Sequence, residues 1–311
     1  MGQLMLLDGA SLWFRSFYAL PEKMTSPDGR PVNAVRGFID TIAALVTTHS
    51  PTRLVVCLDL DWRPAFRTDL IPSYKAHRVA ESGDGSAEEV PDTLTPQVDM
   101  ILDVLRCAGI ETSGAQGCEA DDVIGTLAFT ECVDDVLVVS GDRDLLQVVA
   151  DDPVAVRVLY VGRGLAKAEL MGPAEVAAKY AVPTERAGVA YAEMAILRGD
   201  PSDGLPGVKG IGDKTAAKLI TEYGGLDGLE AAVREPDAPI SPRIVASLES
   251  AGDYLAAART VVAVRTDAAT VARRGDDTLP TTPDDRAGLD RLVGELGIGS
   301  SVDRLATALH W

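Results

Sequence analysis

Four short runs of apolar, β-favouring residues stand out along the chain: Leu4–Leu7, Leu54–Leu58, Val136–Val139 and Val154–Val161. Between them apolar positions recur with helical spacing, as in Val35–Val46 and Pro96–Cys107. Strands alternating with helices predict an α/β fold with a mostly parallel central sheet flanked by helices. From about Gly172 the strand pattern fades, and Pro183, Pro201 and Pro206 punctuate what reads as short helices. A boundary is therefore expected near residues 165–175, between an α/β domain over 1–170 and a helical region over 171–311. Residues 226–311 are rich in Ala and acids and carry no motif, so a scaffold role is expected of them.

Acids follow the strand runs closely. Asp8 and Asp59 come directly after the first two, and Asp142 follows the third across Ser140-Gly141. In open α/β sheets ligands gather outside the carboxyl ends of strands, so these acids can converge. Glu119, Asp121 and Asp122 open a helix within one turn, and Asp142 and Asp144 sit two apart on a turn. Capping and the helix dipole account for acids at a helix start, and turns use Asp for local hydrogen bonds. Asp200 and Asp203 then share a loop. Nine carboxylates drawn together would repel one another, and burial would raise their pKa values. Hard Mg²⁺ or Mn²⁺, which prefer carboxylate oxygen, would remove that repulsion. Two such ions roughly 4 Å apart suit in-line attack on a phosphodiester.

Composition bounds the reading. The 311 residues are 46% hydrophobic and 24% charged, ordinary for a globular chain of one large or two modest domains. A net charge of −18 opposes phosphate binding unless acids are neutralised at a metal site and basic residues share one face. No run approaches the roughly 18–20 apolar residues of a membrane span, and Met1–Asp8 lacks the basic start of a signal peptide, so a cytoplasmic chain is expected. Cys57, Cys107, Cys118 and Cys132 form no C-x-x-C pair, so zinc is not expected.

Two further segments bear on nucleic acid. Arg63, Arg67, Lys75 and Arg78 form a basic stretch just before the acidic, Gly- and Ser-containing Val79–Pro91, which reads as a lid that touches phosphate or as a solvated loop. Leu205-Pro-Gly-Val-Lys-Gly-Ile-Gly-Asp-Lys-Thr-Ala places Gly207, Gly210 and Gly212 before an amphipathic helix, with Lys209, Lys214 and Lys218 nearby. Glycines at a helix start expose N–H groups that accept phosphate, and such backbone contacts position a duplex without reading sequence. The plainer reading is a Gly-rich turn between packed helices.

These stretches together resemble the flap-endonuclease and bacterial 5′–3′ exonuclease family, which includes the amino-terminal nuclease domain of DNA polymerase I. The matching stretches are LLDGASLWFRSFYAL from Leu6, VVCLDLDWRPAFR from Val55, YKAHR around Lys75, GCEADDVIGTLA from Gly117, VVSGDRDLLQ from Val138 and LRGDPSDGLPGVKGIGDKTAAKLI from Leu197. They cover roughly residues 4–223 in the family's order. The resemblance implies a free-standing, monomeric structure-specific 5′ nuclease acting on DNA with a 5′ flap or 5′ end in replication and repair, with no membrane partner and no nucleotide cofactor. It implies that Asp8, Asp59, Glu119 and Asp121 ligate one Mg²⁺ or Mn²⁺. Asp142, Asp144, Asp200 and Asp203 would ligate a second, with Asp122 acting through water. Lys75, Arg78 and Arg67 would meet the scissile phosphate at the base of a helical arch, about 66–95, and Tyr74 would stack on a base. A helix–three-turn–helix module, about 187–223, would grip duplex phosphates and hold K⁺ on its carbonyls.

The chain departs from the family in places. Gly204 follows Asp203 where bacterial relatives have Asn, Asp61 is an additional acid, and residues 81–103 hold seven acids, Glu81 and Asp84 among them, and no Lys or Arg. Two other classes compete: a non-catalytic DNA-structure binder, and a haloacid-dehalogenase-like phosphatase built on the Asp59-x-Asp61 pair. No Ser-His or Cys-His pair is needed for the hydrolysis expected here, and His49, His77 and His310 carry no assigned role.

Overall fold

A computed structural model describes residues 2–80, 87–235, 237 and 239–311. In chain order its elements are β1 (Gln3–Asp8), α1 (Gly9–Ala19), α2 (Asn33–His49), β2 (Arg53–Leu58), α3 (Ala65–Thr68), α4 (Thr95–Ala108), β3 (Glu111–Ala115), α5 (Ala120–Thr130), β4 (Asp135–Ser140), β5 (Val156–Tyr160), β6 (Glu169–Met171), α6 (Pro173–Tyr180), α7 (Ala187–Arg198), α8 (Asp213–Tyr223), α9 (Leu226–Val233), α10 (Pro242–Ser250), α11 (Gly252–Val262), β7 (Thr270–Ala272), α12 (Arg286–Leu296) and α13 (Gly299–Leu309).

The strands form one sheet in the order β6-β5-β4-β1-β2-β3-β7. Pairing is parallel from β5 through β4, β1 and β2 to β3, and antiparallel at the edge strands β6 and β7. This is the mostly parallel sheet that the strand–helix alternation predicts. Side chains alternate across it with the strand's period of two. Leu4 and Leu6 of β1 join a core with α5, α7, α8 and α11, while Met5 and Leu7 join another with α1, α2, α4, α12 and α13. Covering both faces explains why the central strands read as continuous apolar runs.

Two elements depart from the sequence pattern. Strand β3, Glu-Thr-Ser-Gly-Ala, has no apolar run, yet all five residues are buried. Its polar groups find partners inside the protein: the Glu111 carboxylate accepts the N–H groups of Thr112, Arg274 and Gly275 at 2.7–2.9 Å. The carboxyl-terminal residues also return to the sheet instead of remaining a separate helical region. Strand β7 pairs with β3, α13 packs on α2, and Arg304 forms an ion pair with Asp40 at 2.8 Å.

In the segment expected to arch over the site, α3 is four residues long and a single 3₁₀ turn spans Ala76–Arg78. Val79 and Glu88 then form an antiparallel bridge. Residues 81–86, including Glu81 and Asp84, lie outside the described residues. The Gly- and Ser-containing stretch has no helical periodicity, which accounts for ends that pair like strands.

Candidate active site

Neighbouring parallel strands end at one edge, so their last residues meet. Asp8 closes β1 at the middle of the sheet and caps α1, accepting the Ser11 N–H at 3.1 Å. Its other oxygen accepts the hydroxyl of Ser140, the last residue of β4, at 2.5 Å. Asp59, just past β2, accepts the Ala120 N–H at 2.6 Å, tying that strand to the start of α5. The Ser140 hydroxyl also accepts the Asp142 N–H at 2.9 Å, and Asp142 accepts the Asp144 N–H at 2.9 Å. Asp200 organises its own loop, accepting the Ser202 N–H at 2.8 Å.

These acids line one open cleft of about 1540 Å³: Asp8, Asp59, Glu119, Asp121, Asp142, Asp144 and Asp200. Lys75, Arg78, Lys214 and Lys218 line it with them. Asp203 lies on a small adjoining cavity of about 20 Å³, shared with Asp121, Asp144 and Asp200. Arg78 reaches it at 3.1 Å. The Lys75 N–H bonds the Asp203 carbonyl at 3.0 Å, joining the base of the arch segment to the 200–204 loop. Gly204 makes that closure possible: its φ is +70°, and a Cβ there would lie 2.0 Å from the Ser73 carbonyl oxygen.

Three expectations are corrected by placement. Arg67 is buried, with both terminal nitrogens on the Asp122 carboxylate at 2.7 and 2.8 Å. It therefore has no free face for a scissile phosphate. Asp122 is fully buried and also accepts the Glu119 and Arg265 N–H groups at 3.1 and 3.0 Å, so it turns away from the cleft. Tyr74 is 4% exposed, too enclosed to stack on a base; its hydroxyl donates to Glu119 at 2.9 Å. Glu119 is held besides by a charge-assisted bond from Lys75. Asp61 is absent from the cleft lining and accepts the Arg63 N–H at 3.2 Å, which leaves the Asp-x-Asp phosphatase reading without a site.

Burial favours the neutral form of six of these carboxylates. Desolvation, then the charges of Asp59 and Asp142, push Asp8 up to about 7 against the bond from Ser140. Desolvation raises Glu119 to about 7 despite Lys75 and Arg67. Asp121 is held well above its ordinary value by burial and by Asp8 and Asp142, and Asp144 by burial and by Asp142, Asp203 and Asp200. Burial likewise raises Asp59 and Asp203. Among the described residues no three acidic, His or Cys side chains stand, as placed, in a group that could hold an ion. The donor set nevertheless fits hard divalent cations: it is all oxygen, and Asp8, Asp121 and Asp144 are each raised by neighbouring acids.

On the other flank, α7 and α8 bracket the glycine hairpin. Gly207 and Gly210 take left-handed φ values of +67° and +82°. A Cβ on Gly207 would meet the Arg198 carbonyl at 2.5 Å, so the turn itself needs that glycine. Gly212 has an ordinary φ of −105° and open space around it, so it clears the approach to the α8 start instead of shaping the turn. Lys209, Lys214 and Lys218 are exposed, but Lys209 stands outside the cleft lining. Sequence reading passed over Ser140, Arg143, Lys179 and Arg198, which also take part in the site or line the cleft. Ser140 had a signal in its place between an apolar run and Asp142; Lys179 on α6 had none.

Comparison with known proteins places this geometry. Residues 3–181 match the 5′–3′ exonuclease N-terminal resolvase-like domain, and 187–286 match the 5′–3′ exonuclease C-terminal SAM fold. A 5′–3′ exonuclease of Mycobacterium tuberculosis is 59% identical over 309 residues, spanning 98% of this chain and 97% of that protein. The DNA polymerase I of the same species is 38% identical over 313 residues, which are 98% of this chain but 32% of the polymerase. A bacteriophage T5 flap endonuclease, solved as a pseudo-enzyme–product complex with DNA and metal ions, shares the fold with a TM-score of 0.63 at 18% identity, covering 99% of this chain and 100% of that one. With both domains matched in order, and an exonuclease alike over nearly its whole length, the chain belongs to the 5′–3′ exonuclease family of nucleases.

Proposed function

We propose that this nuclease is structure-specific, trimming 5′ ends and cutting 5′ flaps of DNA with Mg²⁺ or Mn²⁺ bound among the cleft carboxylates. The observation that carries the reading is convergence: these seven acids, from five separate stretches of chain, line one cleft that lysines also line. Asp8, Asp59, Glu119 and Asp121 would hold one ion, and Asp142, Asp144 and Asp200, with Asp203 behind them, a second. Bound there, the ions supply an activated water and neutralise charge on the phosphorus oxygens and the leaving 3′ oxygen. Products would carry 5′-phosphate and 3′-hydroxyl.

The chain's own residues prepare the cleft for DNA. Lys75, on the Glu119 carboxylate, keeps its proton: burial opposes the charge, but Glu119 holds its pKa well above the ordinary value. It therefore brings a permanent cation to the edge of the acid cluster, where with Arg78 it would meet the scissile phosphate. Lys214 and Lys218 on α8, and the open N–H groups at its start, would hold duplex phosphates, with K⁺ on the hairpin carbonyls. The complex with DNA and metal ions seen for the T5 enzyme supports this assignment by analogy of fold. The same reading takes the protein as a cytoplasmic monomer; no described helix is long and apolar enough to cross a membrane.

A labelled 5′-flap duplex incubated with Mn²⁺, with Mg²⁺ and with EDTA tests the proposal on a sequencing gel. Cuts at the flap junction that disappear in EDTA are expected. DNA retained but uncut with either metal would instead mark a structure-binding protein.

A further inference from the structure

The stretch Val261–Ala268 runs from the end of α11 towards β7, in the part of the chain that carries no motif. Its backbone groups are claimed in succession by side chains from the acid-bearing elements. Arg67 donates to the Val261 carbonyl at 2.9 Å and reaches that of Ala263 at 3.5 Å. Gln147, three residues past Asp144, donates to the Val262 carbonyl at 3.2 Å and accepts the Val264 N–H at 2.9 Å. The same amide donates to the carbonyl of Asp144 itself at 2.9 Å. Asp122 accepts the Arg265 N–H at 3.0 Å. Thr126 donates to the Arg265 carbonyl at 3.2 Å and accepts the Ala268 N–H at 3.0 Å.

Steric fit makes the same point independently. A Cβ at Gly125 of α5 would lie 2.6 Å from a Val264 methyl and 2.7 Å from the Arg265 carbonyl, so the stretch rests directly on the helix that presents Glu119 and Asp121. Val261, Val262 and Val264 also line the small cavity shared by Asp121, Asp144, Asp200 and Asp203. The stretch thus backs the acids of both groups.

We propose that residues 261–268 act as a strap fixing the spacing between the two carboxylate groups, with Gln147 as the positioning residue that ties the Asp144 side to it. On one side the strap is pinned to α5 through Asp122, Thr126 and the bare surface of Gly125. On the other it is pinned through one amide that holds both strap and Asp144 backbone. Loss of that amide leaves every proposed metal ligand in place but frees the Asp142–Asp144 turn to shift against α5. Outer partners of this kind typically change metal affinity or activity by about 10–100-fold, and reacting groups are sensitive to displacements of about 1 Å. The inference rests on the metal-site reading above.

The test is Gln147→Met, which keeps length and volume and removes these three bonds, compared with Asp144→Asn. Mn²⁺ binding without DNA is followed by electron paramagnetic resonance, flap cleavage by kcat and KM, and folding by Tm in EDTA. The expected result is weaker Mn²⁺ binding and a kcat lowered at least about tenfold, with KM changed less than about twofold. Should Gln147→Met fail to fold, Gln147→Asn, whose amide is one methylene too short to bridge, carries the same readouts. Wild-type Mn²⁺ affinity and kcat alongside an inactive Asp144→Asn would overturn the strap alone. A lowered Tm with kcat intact would also overturn it, showing a purely structural tie. An active Asp144→Asn would instead overturn the metal-site reading on which it rests.

Discussion

The two sides of the cleft are built differently. Around Glu119 the acid is enclosed: Tyr74 and Lys75 bond it directly, and Arg67 stands 3.5 Å away. Around Asp144 the nearest charges are other acids, Asp142, Asp203 and Asp200, with Arg198 as the weaker counterweight, 3.8 Å from Asp200. Glu119 carries its own counter-charges, whereas Asp144 faces mainly other acids. An ion on the Asp142–Asp144–Asp200 side thus relieves more repulsion, while an ion on the Glu119 side must compete with Lys75. The same contrast separates residues that face the reaction from residues that only hold those that do.

The largest effect expected is from removing one acid on either side. Asp121→Asn or Asp144→Asn should lower single-turnover cleavage at least about a thousandfold if both ions stabilise the transition state. Gel-shift affinity for the flap should hold or rise, because a negative charge near phosphate is gone. Lost binding with normal cutting would contradict the assignment. Next in size, Lys75→Ala should lower kcat by about a hundredfold with duplex affinity within about threefold. An unchanged kcat would remove its role.

Arg67→Met sharpens the line between facing and holding. It leaves Asp122 buried without its partner, which costs about 3–5 kcal/mol. A marked fall in Tm is therefore expected, with substantial cleavage retained below the new transition. A wild-type Tm with cleavage abolished would instead return Arg67 to the phosphate.

What was legible in the sequence follows the same division. Asp8, Asp59, Glu119, Asp121, Asp142, Asp144 and Asp200 announced themselves by position: each ends an apolar run, starts a helix or sits on a glycine-flanked turn, and the structure brings them to one cleft. Arg67, Asp122 and Tyr74 sit in the same motifs, but residue type alone does not say which way a side chain points. Burial turns them inward, where they serve Glu119 and the strap. Strand β3 escaped notice because its polar residues are satisfied by partners more than 150 positions away, such as Arg274 for Glu111. The strap escaped for a deeper reason: it contributes backbone groups and packing, which leave no pattern in residue identity.

The smallest effect is a pH dependence. Asp8 has its pKa raised from 3.8 to about 7 in the folded chain, so folding favours its protonated form. Its contribution to stability is complete below about pH 4 and is lost as pH rises through about 7. In EDTA, Asp8→Asn should therefore become stabilised relative to wild type as pH is raised across this window, and Mg²⁺ should narrow the gap by stabilising wild type. A Tm difference between the two proteins that stays flat from pH 4 to 8 in EDTA would contradict the burial of that charge.

The most direct measurement is the anomalous scattering of Mn²⁺ in crystals of the protein soaked with the ion. Two peaks are expected, one among Asp8, Asp59, Glu119 and Asp121 and one among Asp142, Asp144 and Asp200, both absent after soaking in EDTA. A cleft with no peak at saturating Mn²⁺, in a protein that still cuts a 5′ flap, would contradict the metal-site account.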